Sequence, residues 1–125
     1  MPIARSSVAL IGTDESTGVS IANNANTVGT VQDLLADTAS ACRVILYFIY
    51  TSTVAVGTLD IYLAQDRLSS TDYTPASPQF QITPSNATVK MRLGAIEPGR
   101  FLGAKIVNNA TGASATVALI AEVEK

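Results

Sequence analysis

Val44, Ile45, Leu46, Tyr47, Phe48, Ile49 and Tyr50 form an unbroken apolar and aromatic row between Arg43 and Thr51. A strand with one face in water alternates polar and apolar residues, because successive side chains point to opposite sides. This run does not alternate. As a strand it places Val44, Leu46, Phe48 and Tyr50 on one face and Ile45, Tyr47 and Ile49 on the other. Its β-branched and aromatic content favours an extended backbone over a buried helix. It is far shorter than the roughly 20 apolar residues that a membrane-spanning helix needs. One face must fill a core. The other must be covered by a second sheet, by an N-terminal arm or by another protein.

The flanking segments read as shorter strands. Residues 58–65 alternate, with Leu59, Ile61 and Leu63 facing the core and Thr58, Asp60, Tyr62 and Ala64 facing out. Joined to the central run through a short connection containing Gly57, they read as a hairpin. Residues 79–82 are a short strand, and Val89, Met91 and Leu93 point inward from another, which ends in a loop at 94–99. Residues 100–107 and 113–124 form a second expected hairpin across the turn at 108–112. In its return strand Ala115, Val117, Leu119, Ala121 and Val123 share one face, and Thr116, Ala118, Ile120, Glu122 and Glu124 the other. Residues 1–12 are a short strand or an extended arm. Thr30 and Asp33 have capping-box spacing, which suggests one or two helical turns over 31–36; an irregular strand competes. The stretch 66–78 carries Pro75 and Pro78 and is the longest loop. Short strands with turns every 8–12 residues predict an all-β chain: an antiparallel β-sandwich or small barrel of about seven or eight strands.

Length and composition narrow the function. The 125 residues suit one domain. Charged residues make up only 14%, against about 25% in a typical soluble domain, so part of the outside is expected to be covered in an assembly. The net charge is −2, and Arg5, Arg43, Arg67, Arg92 and Arg100 are scattered. Nucleic-acid binding needs basic charge gathered on one face, so that class is set aside.

The chain has no histidine and a single cysteine, Cys42. That leaves no intrachain disulfide, no clustered metal ligands and no activated nucleophile, so neither an enzyme nor a cofactor is expected. Asp14-Glu15 and Asp66 with Asp72 offer carboxylates, but neither has the spacing of a calcium loop. Tyr62 and Tyr73 are the aromatics available to stack on a sugar, which keeps a carbohydrate-binding module as an alternative. No secretory signal is visible at the N-terminus, and cytoplasmic synthesis is expected.

Two stretches carry a family resemblance. Gly57-Thr58-Leu59-Asp60-Ile61-Tyr62-Leu63-Ala64-Gln65-Asp66 is one. The other begins at Pro98-Gly99-Arg100-Phe101-Leu102 and leads through a turn to the small-residue strand from Ala115 to Ala121. Together they resemble the strand pattern of tailed-phage capsid cement (decoration) proteins with a jelly-roll-like sandwich. The resemblance covers residues 40–124, and residues 1–36 depart from it. It implies a non-enzymatic virion protein that binds the capsid surface, often as a homotrimer, and clamps neighbouring major capsid subunits. The expected subunit or capsid contacts are Ile45, Tyr47 and Ile49 of the central strand, Ile3, Arg5 and Val8 of the N-terminal segment, and Leu68 and Tyr73 of the long loop. A tail or adaptor component of the same sandwich type is the other virion reading.

Overall fold

A computed structural model of the chain describes residues 5–34, 43–66, 78–96 and 101–124. The strands, in chain order, are β1 (Arg5–Ile11), β2 (Val19–Ile21), β3 (Asn26–Val28), β4 (Gln32–Asp33), β5 (Arg43–Thr51), β6 (Thr58–Asp66), β7 (Phe80–Ile82), β8 (Thr88–Ile96), β9 (Phe101–Asn109) and β10 (Ala115–Glu124). They form two antiparallel sheets. Sheet A runs β1-β10-β5-β8, with β2 also on β10; sheet B runs β3-β9-β6-β7, with β4 also on β9. Of the steps from β5 to β10, only β6 to β7 stays within one sheet. This is the strand order of a jelly-roll sandwich, in which successive strands arch from one layer to the other.

The central run supplies the middle of sheet A. Val44, Leu46, Phe48 and Tyr50 are buried, with Val117, Leu119, Ala121 and Val123 of β10 beside them. Leu59, Ile61, Leu63, Leu102, Ala104 and Ile106 come from sheet B into the same core. The rings of Phe48 and Tyr50 lie 5.7 Å apart. A buried tyrosine needs a partner for its hydroxyl; that of Tyr50 accepts the backbone N–H of Ser85 at 2.8 Å.

Both expected hairpins are arches. β5 and β6 lie in different sheets, and so do β9 and β10. The long partner of β5 is β10 on one side and β8 on the other, while β6 pairs along its length with β9. The physical reason is that each of these strands has an apolar face to bury. A hairpin would set two such faces side by side, whereas an arch sets one against the other across the core.

Other segments also differ from expectation. Residues 31–34 contain no helical turn; Gln32 and Asp33 pair with Leu102 and Phe101 as β4. Strand β8 continues through Gly94, at φ 147°, and a register shift there carries it to Ile96. Of the two readings of the N-terminal segment, residues 5–11 are a strand paired along β10, and Leu10 and Ile11 are buried. Asp60 and Ala64 do point away from the core, yet both are buried.

One polar residue ties the arches together. Asn108 is fully buried. Its Nδ2 donates to the carbonyls of Ile21 (2.9 Å) and Ala113 (2.8 Å), and its Oδ1 accepts the Thr111 hydroxyl. Its main chain bonds Asn24 and Ala25. Asn23 and Asn24 in turn accept the N–H groups of Gly112 and Ala110, where φ is positive. A buried amide keeps its place only when its donors and acceptor are used, and here all are.

Candidate functional site

The outer face of sheet A is built by the registers of β10, β5 and β8. Ile45 stands between Glu122 and Ala95, Tyr47 between Ile120 and Arg92, and Ile49 between Ala118 and Lys90. The row of Thr116, Thr51 and Thr88 closes one end, with the hydroxyls of Thr51 and Thr88 2.9 Å apart. Tyr47, Ile49 and Ile120 are half-buried, so an apolar stripe runs along β5 on the side away from the core.

Two ion pairs bracket the stripe. At one end Arg43 holds Glu124 with two parallel bonds, Nε to Oε2 at 2.9 Å and Nη2 to Oε1 at 3.0 Å. The Glu124 carboxylate raises the Arg43 guanidinium above its ordinary pKa, through the hydrogen bond first and the charge second. At the other end the β1–β2 loop folds back over the sheet. Gly12 takes φ +82°, Thr13 N–H bonds the Thr17 carbonyl at 2.9 Å, and Asp14 Oδ1 accepts the N–H groups of Ser16 and Thr17. A Cβ on Gly12 would stand 3.3 Å from that of Ala118, so the loop sits directly on β10. From this ridge Glu15 forms an ion pair with Lys90, and both side chains remain more than half exposed.

Between the ridge and the stripe lies an open hollow of about 320 Å³, floored by Tyr47, Ile49 and Ile120 and rimmed by Ser7, Glu15, Lys90 and Glu122. Glu15 and Glu122 belong to the β1–β2 loop and β10, Lys90 and Arg92 belong to β8, and the Glu15 side chain crosses β5 to reach Lys90. The arrangement has the parts of a protein contact: an apolar centre, a tyrosine and a charged rim.

The outer face of sheet B is finished differently. The Asp60 carboxylate accepts Gln81 Nε2 and Asn109 Nδ2, each at 3.3 Å, and is 4% exposed. Lys105 Nζ lies 5.6 Å from the centre of the Tyr62 ring. A sugar stacking on Tyr62 would compete with that cation for the ring. A wider hollow of about 690 Å³ opens at the edge between β1 and β3, where Gly29 passes close to the Leu10 carbonyl and Gln32 reaches Ala9. Among the described residues no group of three or more His, Cys, Asp or Glu comes together.

Of the contacts expected from the sequence, Ile45, Tyr47 and Ile49 share the outer face of β5, where Tyr47 and Ile49 are half-buried and Ile45 is buried. Val8 faces inward and packs on the core. Arg5 pairs in register with Glu124. Ile3, Leu68 and Tyr73 lie outside the described residues, as does Cys42. Sequence reasoning missed Ile120, Lys90 and Glu15 as members of the same face. The alternation of β10 and β8 already pointed Ile120 and Lys90 outward; the return of the Glu15 loop over the sheet had no signal in the sequence. No family model matches the chain, and no curated protein matches it.

Proposed function

We propose that this chain is a non-enzymatic structural protein of a virion, made in the bacterial host cytoplasm, that binds the outer surface of a phage capsid and cross-bridges major capsid subunits. One observation carries the reading: a packed sandwich that still presents the half-buried Tyr47, Ile49 and Ile120 on the outside of sheet A, beside the buried Ile45. The low charged fraction of 14% and the strand pattern shared with cement proteins support it. The mechanism is burial repeated by symmetry. Each contact gains about 25 cal/mol per Å² of apolar surface removed from water, less the cost of association. Many copies on one shell then oppose opening together, because a shell cannot part at one contact without straining its neighbours.

The test is to add purified protein to phage shells that lack it and to record the temperature at which the shells open. Saturable binding and a higher opening temperature, both lost in Tyr47→Arg, are the expected result. Protein that leaves binding and opening unchanged at micromolar concentration overturns the proposal.

A further inference from the structure

The Glu15–Lys90 ion pair lies across the face that carries the stripe. We infer that this pair is a latch. Closed, it covers Ile49 and shortens the stripe; released, it joins the surface over Tyr47 to the surface over the threonine row and frees both for a partner. The inference rests on the reading of this face as the shell contact, and it concerns the regulation of that contact.

The registers place the bridge. Ala118, Ile49 and Lys90 form one row across β10, β5 and β8. The β1–β2 loop sits on the Ala118 end of that row, and Lys90 stands at the other end. A Glu15 side chain that reaches Lys90 therefore spans Ile49. The hollows on either side agree with this placement. One, of about 320 Å³, is floored by Tyr47 and Ile120 of the next row. The other, of about 300 Å³, lies over Thr116, Thr51 and Thr88 of the row on the opposite side. Glu15 and Ile49 line both hollows, so they are the wall between them.

The latch has a fixed base and a free tip. Gly18 lies so close to β10 that a Cβ there would stand 2.6 Å from the Val117 carbonyl oxygen and 2.9 Å from Cγ2 of Thr116. Gly12 seats the other end of the loop against Ala118, and Asp14 holds the turn through the N–H groups of Ser16 and Thr17. The loop thus stays on β10, and the Glu15 side chain alone crosses to β8. At the tip the Glu15 and Lys90 side chains are 60% and 58% exposed. An ion pair this open to water is weak and is screened by salt. A partner displaces it at small cost, and that cost falls as salt rises. A contact steered by a charged rim weakens with salt; a contact held shut by an ion pair of its own chain strengthens.

The experiment uses the full chain as wild type, Glu15→Gln, Lys90→Gln and the double exchange Glu15→Lys with Lys90→Glu. Exposure of Ile49 in the free protein is read by photolabelling with an uncharged diazirine and peptide mass spectrometry. Val56, 58% exposed between β5 and β6, is the internal standard. Affinity for phage shells that lack the protein is measured beside it. At low salt, about 0.01 M, each single variant should label Ile49 roughly two- to fivefold more than the wild type and bind shells more tightly by the same factor. At about 1 M salt the wild type should match them. The double exchange restores an ion pair and should behave as the wild type; loss of the native charge at either position predicts no such recovery.

Equal labelling of Ile49 in the wild type and Glu15→Gln at low salt overturns the inference, as does a double exchange that stays as open as the single variants. Labelling that shifts while shells bind the wild type and Glu15→Gln equally overturns the regulatory role. If labelling shifts and no chain binds shells, the latch stands and the virion proposal falls. If shells bind through Tyr47 and labelling does not shift, the reverse holds.

Discussion

The two outer faces of the sandwich are built on central strands of nine or ten residues and are finished in opposite ways. On sheet B the polar groups answer one another: Asp60 takes both Gln81 and Asn109, and Lys105 lies over Tyr62. On sheet A the ion pairs stand at the two ends, and the middle is the half-buried Tyr47, Ile49 and Ile120, with Ile45 buried beside them. A sheet that faces water on one side normally carries polar residues there. Sheet B follows that pattern around Asp60, although Val28 and Val107 also lie on its outer face, and sheet A departs from it along β5 and β10.

The sharpest way to break the comparison is to treat the two faces of β5 alike. Phe48 is fully buried against Tyr50, and Tyr47 is its half-buried neighbour on the other face. Phe48→Ala should cost about 3–5 kcal/mol through lost burial and a cavity. Tyr47→Arg, measured on the free protein, should stay within about 1 kcal/mol of the wild type. Denaturant unfolding of both variants decides the matter. Equal losses would make the stripe part of the core and remove the contrast between the two sheets.

Next in size is the amide on which the arches converge. Asn108→Ala takes the side-chain donor from the buried Ile21 carbonyl, while the Thr111 hydroxyl and the Ala113 carbonyl keep their bond to each other. A buried group that loses its partner costs about 1–3 kcal/mol, so a loss near 2 kcal/mol is expected. Asn108→Asp should be similarly damaging, since a carboxylate accepts where the two carbonyls need donors. A loss under about 1 kcal/mol in either variant would show that water enters the site and takes over the amide's bonds.

Much of this architecture was legible from residue order, and the parts that were not share a cause. The two-faced character of β5 follows from seven apolar residues in a row, and the inward sets on β6, β8 and β10 follow from alternation. Alternation says which side of a strand is apolar; it does not say which strand lies beside it. For that reason residues 43–66 and 101–124 looked like hairpins although each pair of strands spans both layers. The burial of Asp60 has the same origin. Gln81 and Asn109 lie 21 and 49 residues away and become its neighbours only through the order β9-β6-β7. Of the contact face, the stripe could be read, while the Glu15 ridge depends on β1 pairing with β10 first.

A smaller test acts on the sheet B face itself. Asp60→Ala removes the acceptor shared by Gln81 and Asn109, but both amides are near enough to the surface to turn toward water. A loss of about 1 kcal/mol is expected, the net value of a hydrogen bond and not the cost of a buried orphan. Shell binding should not change. If Asp60→Ala abolished association, the polar face would be a contact as well, and the division of labour between the sheets would fail.

The smallest effect is expected at Lys105. Its ammonium lies 5.6 Å from the Tyr62 ring centre, and a partly exposed cation on a tyrosine face is worth about 0.5–1 kcal/mol. Lys105→Met keeps a long, flexible stem beside the ring while removing the charge, so stability should fall by no more than that amount. The substitution also frees the ring for other partners. If the face were a sugar platform held shut by Lys105, the variant would gain binding to a glycan array that the wild type lacks. A finished, water-facing surface gains none. Since the variant keeps Tyr62 in place, a negative array would tell against sheet B as a binding face and leave the stripe on sheet A as the chain's working surface.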